Sequence, residues 1–227
     1  MKIFLLIFPV IVMGDVSSHE MKEWLSQVMV TYEVAFLRMG VKKLNPNCTQ
    51  NYEYFENAGK KVKKCVVDVM TFETNTICGI ARAHYQKCSE PLINAIAGCV
   101  DREYRDVPSF ILNTIDSIIN FVCKSKGKHL FELMNPCFWR TEDDSLKTCE
   151  KLVNDKIGHW LFVDDLDDPY TVTDICGFFD SVKDCFYNHL RGGCKNVVTL
   201  EAFGGLYEAL SKECKNSKSP LTNDLKN

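Results

Sequence analysis

The sequence predicts an all-α protein: a helical bundle stapled by disulfides and built from two six-cysteine halves. Three observations carry this. Apolar residues recur at steps of three and four along most of the chain. Alternating strand patterns are scarce, and no Asn-Gly hairpin signal occurs. Twelve cysteines, an even number, are spread over 227 residues in an order that repeats.

In chain order, "GKKVKKC", ending at Cys65, reads as a Lys-rich helical segment. "PLINAIAGCV" places Pro91 at an expected helix start. In "SFILNTIDSIINFVCK", Phe110, Ile111, Ile115, Ile118, Ile119 and Val122 define one apolar face of period 3.6. Pro108 stands just inside its start, where a missing N–H is harmless. Gly127 follows its end as a C-terminal cap would. "TEDDSLKTCEKLV" opens with Thr141 and Asp144, spaced as in a capping box. In "TVTDICGFFDSVKDCFYNHL", Ile175, Phe178, Phe179, Val182 and Phe186 share a face, with Asp180, Lys183 and Asp184 outside it. Gly192 and Gly193 are expected to end that helix. "LEAFGGLYEALSKEC" is amphipathic up to Cys214, and the polar stretch from Lys215 to Asn227 reads as a disordered tail.

The cysteines order these helices. The first half carries Cys48, Cys65, Cys78, Cys88, Cys99 and Cys123; the second carries Cys137, Cys149, Cys176, Cys185, Cys194 and Cys214. Equivalent members lie about ninety residues apart, and both central triplets open on Ile-Cys-Gly. Several matches in the same order point to an internal repeat. No C-x-x-C occurs, which speaks against zinc and against thiol–disulfide exchange. All twelve are therefore expected in disulfides that staple helical hairpins, although on the order of ten thousand pairings are open.

The address agrees. "MKIFLLIFPVIVMG" places Lys2 before an apolar run that ends at the small residue Gly14, the layout of a secretory signal peptide over 1–14. The run is shorter than the roughly 20 residues that span a bilayer. Oxidised cysteines suit the same compartment. The chain then divides into a first helical half at 15–127, a second at 128–214 and the tail at 215–227. A net charge of −3 gives no strong field for nucleic acid or anionic membrane.

Four stretches carry a family resemblance: "YFENAGKKVKKCV", "IINFVCKSKGKHLFELMNPCF", "SLKTCEKLVNDKI" and "DICGFFDSVKDCFYNHLRGGC". With "EALSKEC" to Cys214, they make the chain resemble the 27 kDa haemolymph glycoprotein family of insects over roughly residues 48 to 214. The resemblance implies a secreted protein of the haemolymph with N-linked sugar. It transfers no catalytic residue. The sequon is Asn47–Cys48–Thr49, so Asn47 is the expected glycosylation site.

Chemistry-bearing residues are few. His19, His84, His129, His159 and His189 show no metal-ligand spacing and read as surface or cap histidines. His189, near a helix C-terminus, would favour the dipole there. No G-x-S-x-G or Ser-x-x-Lys motif and no spare thiolate is present, so no enzyme and no cofactor is expected. Asp164 to Asp168 lacks the order of a Ca²⁺ loop and reads as a solvated linker. It lies with Trp160 and Tyr170 in a stretch between Cys149 and Cys176 that is longer than its counterpart in the first half. Lys60, Lys63 and Lys64 share a helix face that suits an extracellular polyanion, or equally a solvated surface. Phe110, Phe121, Phe131, Phe138, Phe178, Phe179 and Phe203 fall on helical segments, either as plain core or around an interhelical cavity. The expected function is carriage of a hydrophobic small molecule or lipid between helices. The alternative is an interaction or defence protein that binds a macromolecular or microbial surface.

Overall fold

The computed structural model describes residues 52–70, 76–139, 151 and 171–217. Among the described residues the helices with full bounds are, in order, α1 (Tyr52–Val69), α2 (Ile77–Ala97), α3 (Val107–Lys124), α4 (Gly127–Glu132), α5 (Pro136–Trp139), α6 (Val172–Gly193) and α7 (Val197–Ser217). A 3₁₀ turn, Arg102–Tyr104, lies between α2 and α3. No strand occurs among the described residues, and the all-α class stands. The leader, Asn47, Cys48, the Thr141–Asp144 pair, Cys149, His19, His159 and the Trp160–Tyr170 stretch lie outside the described residues.

Each long helix has a local reason to form. α1 buries Ala58, Val62 and Val66, four residues apart, against α2. α2 starts where the Thr76 hydroxyl accepts from Gly79 N–H at 3.0 Å. α3 has Pro108 in its first turn, as expected. α6 opens on a full capping box: Thr171 Oγ1 accepts from Asp174 N–H at 3.2 Å, and Asp174 Oδ2 accepts from Thr171 N–H at 2.9 Å. At the start of α7, Asn196 Oδ1 accepts from Val198 N–H at 2.8 Å.

Three details of the sequence reading are corrected. Pro91 lies inside α2 rather than at a helix start. The helix tolerates the missing N–H because Leu92, Ala95 and Ile96 beyond it are buried. Gly127 does not cap α3. Ser125 ends that helix in extended backbone, its N–H donating to Phe121 carbonyl at 2.9 Å and its hydroxyl at 2.7 Å, and Gly127 is the first residue of α4. Lys215, Asn216 and Ser217, expected in the tail, are the last residues of α7.

Two disulfides lock two hairpins in the same way. Cys78, at the start of α2, joins Cys123, at the end of α3. Cys176, early in α6, joins Cys214, late in α7. A bond from the start of one helix to the end of the next requires that the pair run antiparallel. Counted within its half, each bond joins the third cysteine to the sixth. Cys65–Cys88 ties α1 to α2, and Cys137–Cys194 ties α5 to the end of α6. Cys99 and Cys185 are bonded as well, and no described cysteine is free.

The hairpins are fused through α3 and α7. Packing runs from α1 to α2, α3, α7 and α6, with α4 on α7 and α5 on α6. Phe110 of α3 clusters with Ile175, Cys176 and Cys214, so the core crosses from the first half to the second. A second cluster gathers Leu133, Leu190, Phe203 and Leu206, with Ile118 and Phe121 packed on it. α3 carries no fully polar face, because α2 also covers it. Arg82 donates to Asn120 and Gln86 to Asn113, each at 3.2 Å. The Ile175–Val182 face of α6 is buried, with Asp180, Lys183 and Asp184 exposed, as the periodicity predicts.

Two measurements check this account. Replacing Cys176 and Cys214 together by Ala is expected to lower the unfolding free energy by about 2–4 kcal/mol in urea titration. Hydrogen bonds from the Thr171 side chain and backbone hold the Asp174 carboxyl below the usual range. Its contribution is thus present above the ordinary carboxylate pKa and is lost as pH falls through the lower folded value. Asp174→Asn should remove about 0.3–1 kcal/mol at neutral pH, the solvent-screened range for a carboxylate in a first helical turn, and flatten that acid limb of the stability curve.

Candidate functional site

An opening lies where the two hairpins meet. It is a groove of about 570 Å³ between α3, the α3–α4 turn and α7. On the α3 side stand Ser117, Asn120, Phe121 and Lys124, three or four residues apart and so on one face. On the α7 side stand Ala202, Gly205, Glu208, Ala209 and Lys212 at the same spacing. Ala202 and Ala209 are almost wholly covered, and the half-buried ring of Phe121 lies over Gly205.

Gly205 sets the separation of the helices. A Cβ there would stand 2.6 Å from Phe121 Cε2, closer than packed carbons come. Phe121 meets Gly205, while Phe110 clusters with Cys214, so α3 and α7 run antiparallel. Lys124 and Lys126 consequently lie at one end of the groove, and Lys212 and Lys215 at the other. His129 and Glu201 close the first end as a pair at 3.1 Å. None of these four lysines is ion-paired among the described residues.

The floor is held from behind. Thr199, fully buried, donates to Glu132, and Asn135 Nδ2 donates to the same carboxylate at 2.7 Å. These bonds lower the Glu132 pKa and fix the α4–α5 turn on α7. Phe138 stacks on Phe203 with ring centroids 3.9 Å apart. Gly193 lets α5 approach α6, since a Cβ there would meet the Cys137 carbonyl oxygen at 2.7 Å. Tyr207 donates to Phe179 carbonyl at 2.5 Å, and burial pushes its hydroxyl up to about 12.

The residues singled out in the sequence scatter. His189 is buried rather than a surface or cap residue: Nε2 lies 2.7 Å from Phe138 carbonyl, donating to it, which leaves Nδ1 without a partner. The helix turns it inward beside Leu190, onto the ring of Phe138. His129 sits at the groove, and His84 is half-buried on α2. Among the described residues, no three His, Cys, Asp or Glu side chains come together to hold a metal ion. Lys60, Lys63 and Lys64 lie exposed on α1, with Lys60 bound to Glu56 at 2.8 Å. That bond raises the Lys60 pKa and offsets part of the basic face. Of the phenylalanines, Phe110 and Phe203 are core, Phe138, Phe178 and Phe179 pack partly buried, Phe131 is exposed, and Phe121 lines the groove.

The groove itself was readable in part. "AFGGLYEA" puts two glycines inside a helix, each a cost of roughly 1 kcal/mol relative to Ala, and such residues mark close approach. Ala202, Gly205 and Ala209 share one face. What no spacing reveals is that α3, far away in sequence, faces them.

Fold and groove together define a class: a disulfide-framed helical scaffold with an open, lysine-rimmed groove at the seam of two hairpins. The chain belongs to the family described as "Protein of unknown function (DUF1397)", whose model matches residues 47–215. No curated protein and no solved structure matches it.

Gly205→Leu is expected to force Phe121 out of the groove and α3 from α7, lowering stability by about 1–3 kcal/mol. Thermal unfolding measures the loss, and Gly204→Ala, whose Cβ has only an ordinary 3.9 Å neighbour, serves as the mild control.

Proposed function

We propose that this is a secreted, non-enzymatic protein of the insect haemolymph glycoprotein type that binds a hydrophobic small molecule or lipid in the α3–α7 groove. The groove is the observation that carries the reading. Its volume of about 570 Å³ falls within the roughly 300–1,000 Å³ typical of small-molecule sites. Its apolar side is the half-buried ring of Phe121, packed over the small residues of α7. The bonded cysteines support an oxidising compartment. No helix among the described residues is long and apolar enough to cross a membrane. Asn47 is the residue to carry the sugar. Binding to a polyanionic surface through Lys60, Lys63 and Lys64 has less support, because Glu56 already holds one of the three ammonium groups.

The internal duplication belongs to the same reading. The third-to-sixth bond recurs in both halves, Cys65–Cys88 joins second to fourth, and Cys137–Cys194 joins first to fifth. One rule for both halves requires Cys48 to pair with Cys99 and Cys149 with Cys185. Non-reduced peptide mapping is expected to recover those two links; any other partner for Cys99 or Cys185 ends the duplication reading.

Native mass spectrometry of the protein, purified from its own secretion without organic solvent, tests carriage. Excess mass that leaves on denaturation is expected. A mass explained by sugar and disulfides alone would turn the reading toward a macromolecular partner.

A further inference from the structure

We propose that the stripe Phe178, Val182 and Cys185 on α6 is the docking face for residues 145–157 of this same chain, laid antiparallel along it as α1 lies along α2. The register rests on the duplication reading; the packing goes beyond it.

The stripe is distinct from the face that α7 covers. On that face Cys176 is bonded to Cys214, the Phe179 carbonyl accepts from Tyr207, and the Phe186 ring lies 4.9 Å from that of Tyr207. Phe178, Val182 and Cys185 recur at steps of four and three on a second face, roughly a third of a turn round the helix. Val182 is only 8% exposed, yet it joins none of the three apolar clusters of the described residues. Cys185 is bonded, but to none of the described cysteines, which leaves Cys48 and Cys149. Val182 is covered in the isolated chain, so the occupant belongs to it rather than to a second copy.

The course of the chain favours the segment that carries Cys149. Cys137 is bonded to Cys194, and the Phe138 carbonyl accepts from His189 at 2.7 Å. The chain thus leaves α5 at the C-terminal end of α6. It re-enters at Thr171, the N-cap of the same helix. α6 has 22 residues and is about 33 Å long, so residues 140–170 have to travel back along its length. Cys185 stands nine positions before Cys194, and Cys149 ten positions after Trp139. A helix turning back beyond Trp139 brings the two cysteines level.

The pattern of the segment suits the stripe. Leu146, Cys149, Val153 and Ile157 recur at steps of three and four after the expected Thr141–Asp144 cap. On α1, Val62, Cys65 and Val69 hold the equivalent places 84 positions earlier (149 less 65), and Val62 is fully buried in the cluster shared with α2. Lys151 falls on the opposite side of such a helix, and it is helical and exposed. Laid antiparallel, the stripe meets Cys149 with Cys185, Val153 with Val182 and Ile157 with Phe178.

Hydrogen exchange of the intact, disulfide-bonded chain, read by mass spectrometry with reduction after quenching, tests it. Amides of 146–157 are expected to exchange on the order of a hundredfold more slowly than in the free peptide of the same sequence. Val153→Asp should remove that protection and speed exchange over 178–185 by about tenfold or more, while α1 and α2 keep theirs. Lys151→Asp should change neither. If the aspartate unfolds the whole chain, Val153→Ala replaces it, with a smaller loss at the same two places. A Cys149–Cys185 link with 146–157 exchanging like the free peptide leaves the duplication standing and overturns the docking. A link from Cys185 to Cys48 ends both. Protection that survives Val153→Asp, or that is lost with no change over 178–185, puts the segment on another face and overturns the placement.

Discussion

The contact between the ring of Phe121 and the bare backbone at Gly205 is the constraint on which the rest of this structure depends. It brings α3 and α7 closer than any side chain at position 205 would permit. Without that approach, the two stapled hairpins would be two small units. With it, Ile118 and Phe121 of one hairpin join Leu190, Phe203 and Leu206 of the other in one apolar cluster. The groove lies beside this contact, between α3, the α3–α4 turn and α7.

The disulfides act on a different link of the chain. They do not create the helices, which follow from apolar periodicity and from caps at Thr76 and Thr171. They hold antiparallel pairs together at the far ends, where fraying would start, and they restrict the unfolded chain. A groove whose two walls belong to separately stapled hairpins is held in shape by the frame itself. For the proposed carriage, rigid walls would reduce the ordering that binding requires.

Buried polar groups refine this frame. Thr199, with Glu132 and Asn135, ties the short α4–α5 turn to the first turn of α7. His189 ties α6 to the carbonyl of Phe138. In an apolar surrounding, a polar group left without its partner costs about 1–3 kcal/mol. These bonds therefore specify one arrangement of turns whose apolar contacts alone are few. His189 shows the limit of reading such a residue from sequence. Its place near a helix end suggested a cap, but the side of the helix it occupies faces the Phe138 ring.

The sequence by itself determined the helical class, the extents of α3 and the buried face of α6, because these depend on the spacing of apolar residues within a dozen positions. It also indicated that cysteines would staple hairpins, since the Ile-Cys-Gly triplets recur. It misjudged Pro91 and Gly127, because local rules at a helix end yield when burial on both sides continues or replaces the helix. The T-x-x-D capping box at Thr171 was not read from the sequence, although it is a purely local signal. The tertiary structure alone decided which cysteines pair, that the halves share a core, and that the groove lies between α3 and α7. Those outcomes join residues far apart in the chain, from 23 to 57 positions in the disulfides and farther still between Phe121 and Gly205. No periodicity within one helix encodes which distant face it will meet; that is settled when all the apolar faces are buried together.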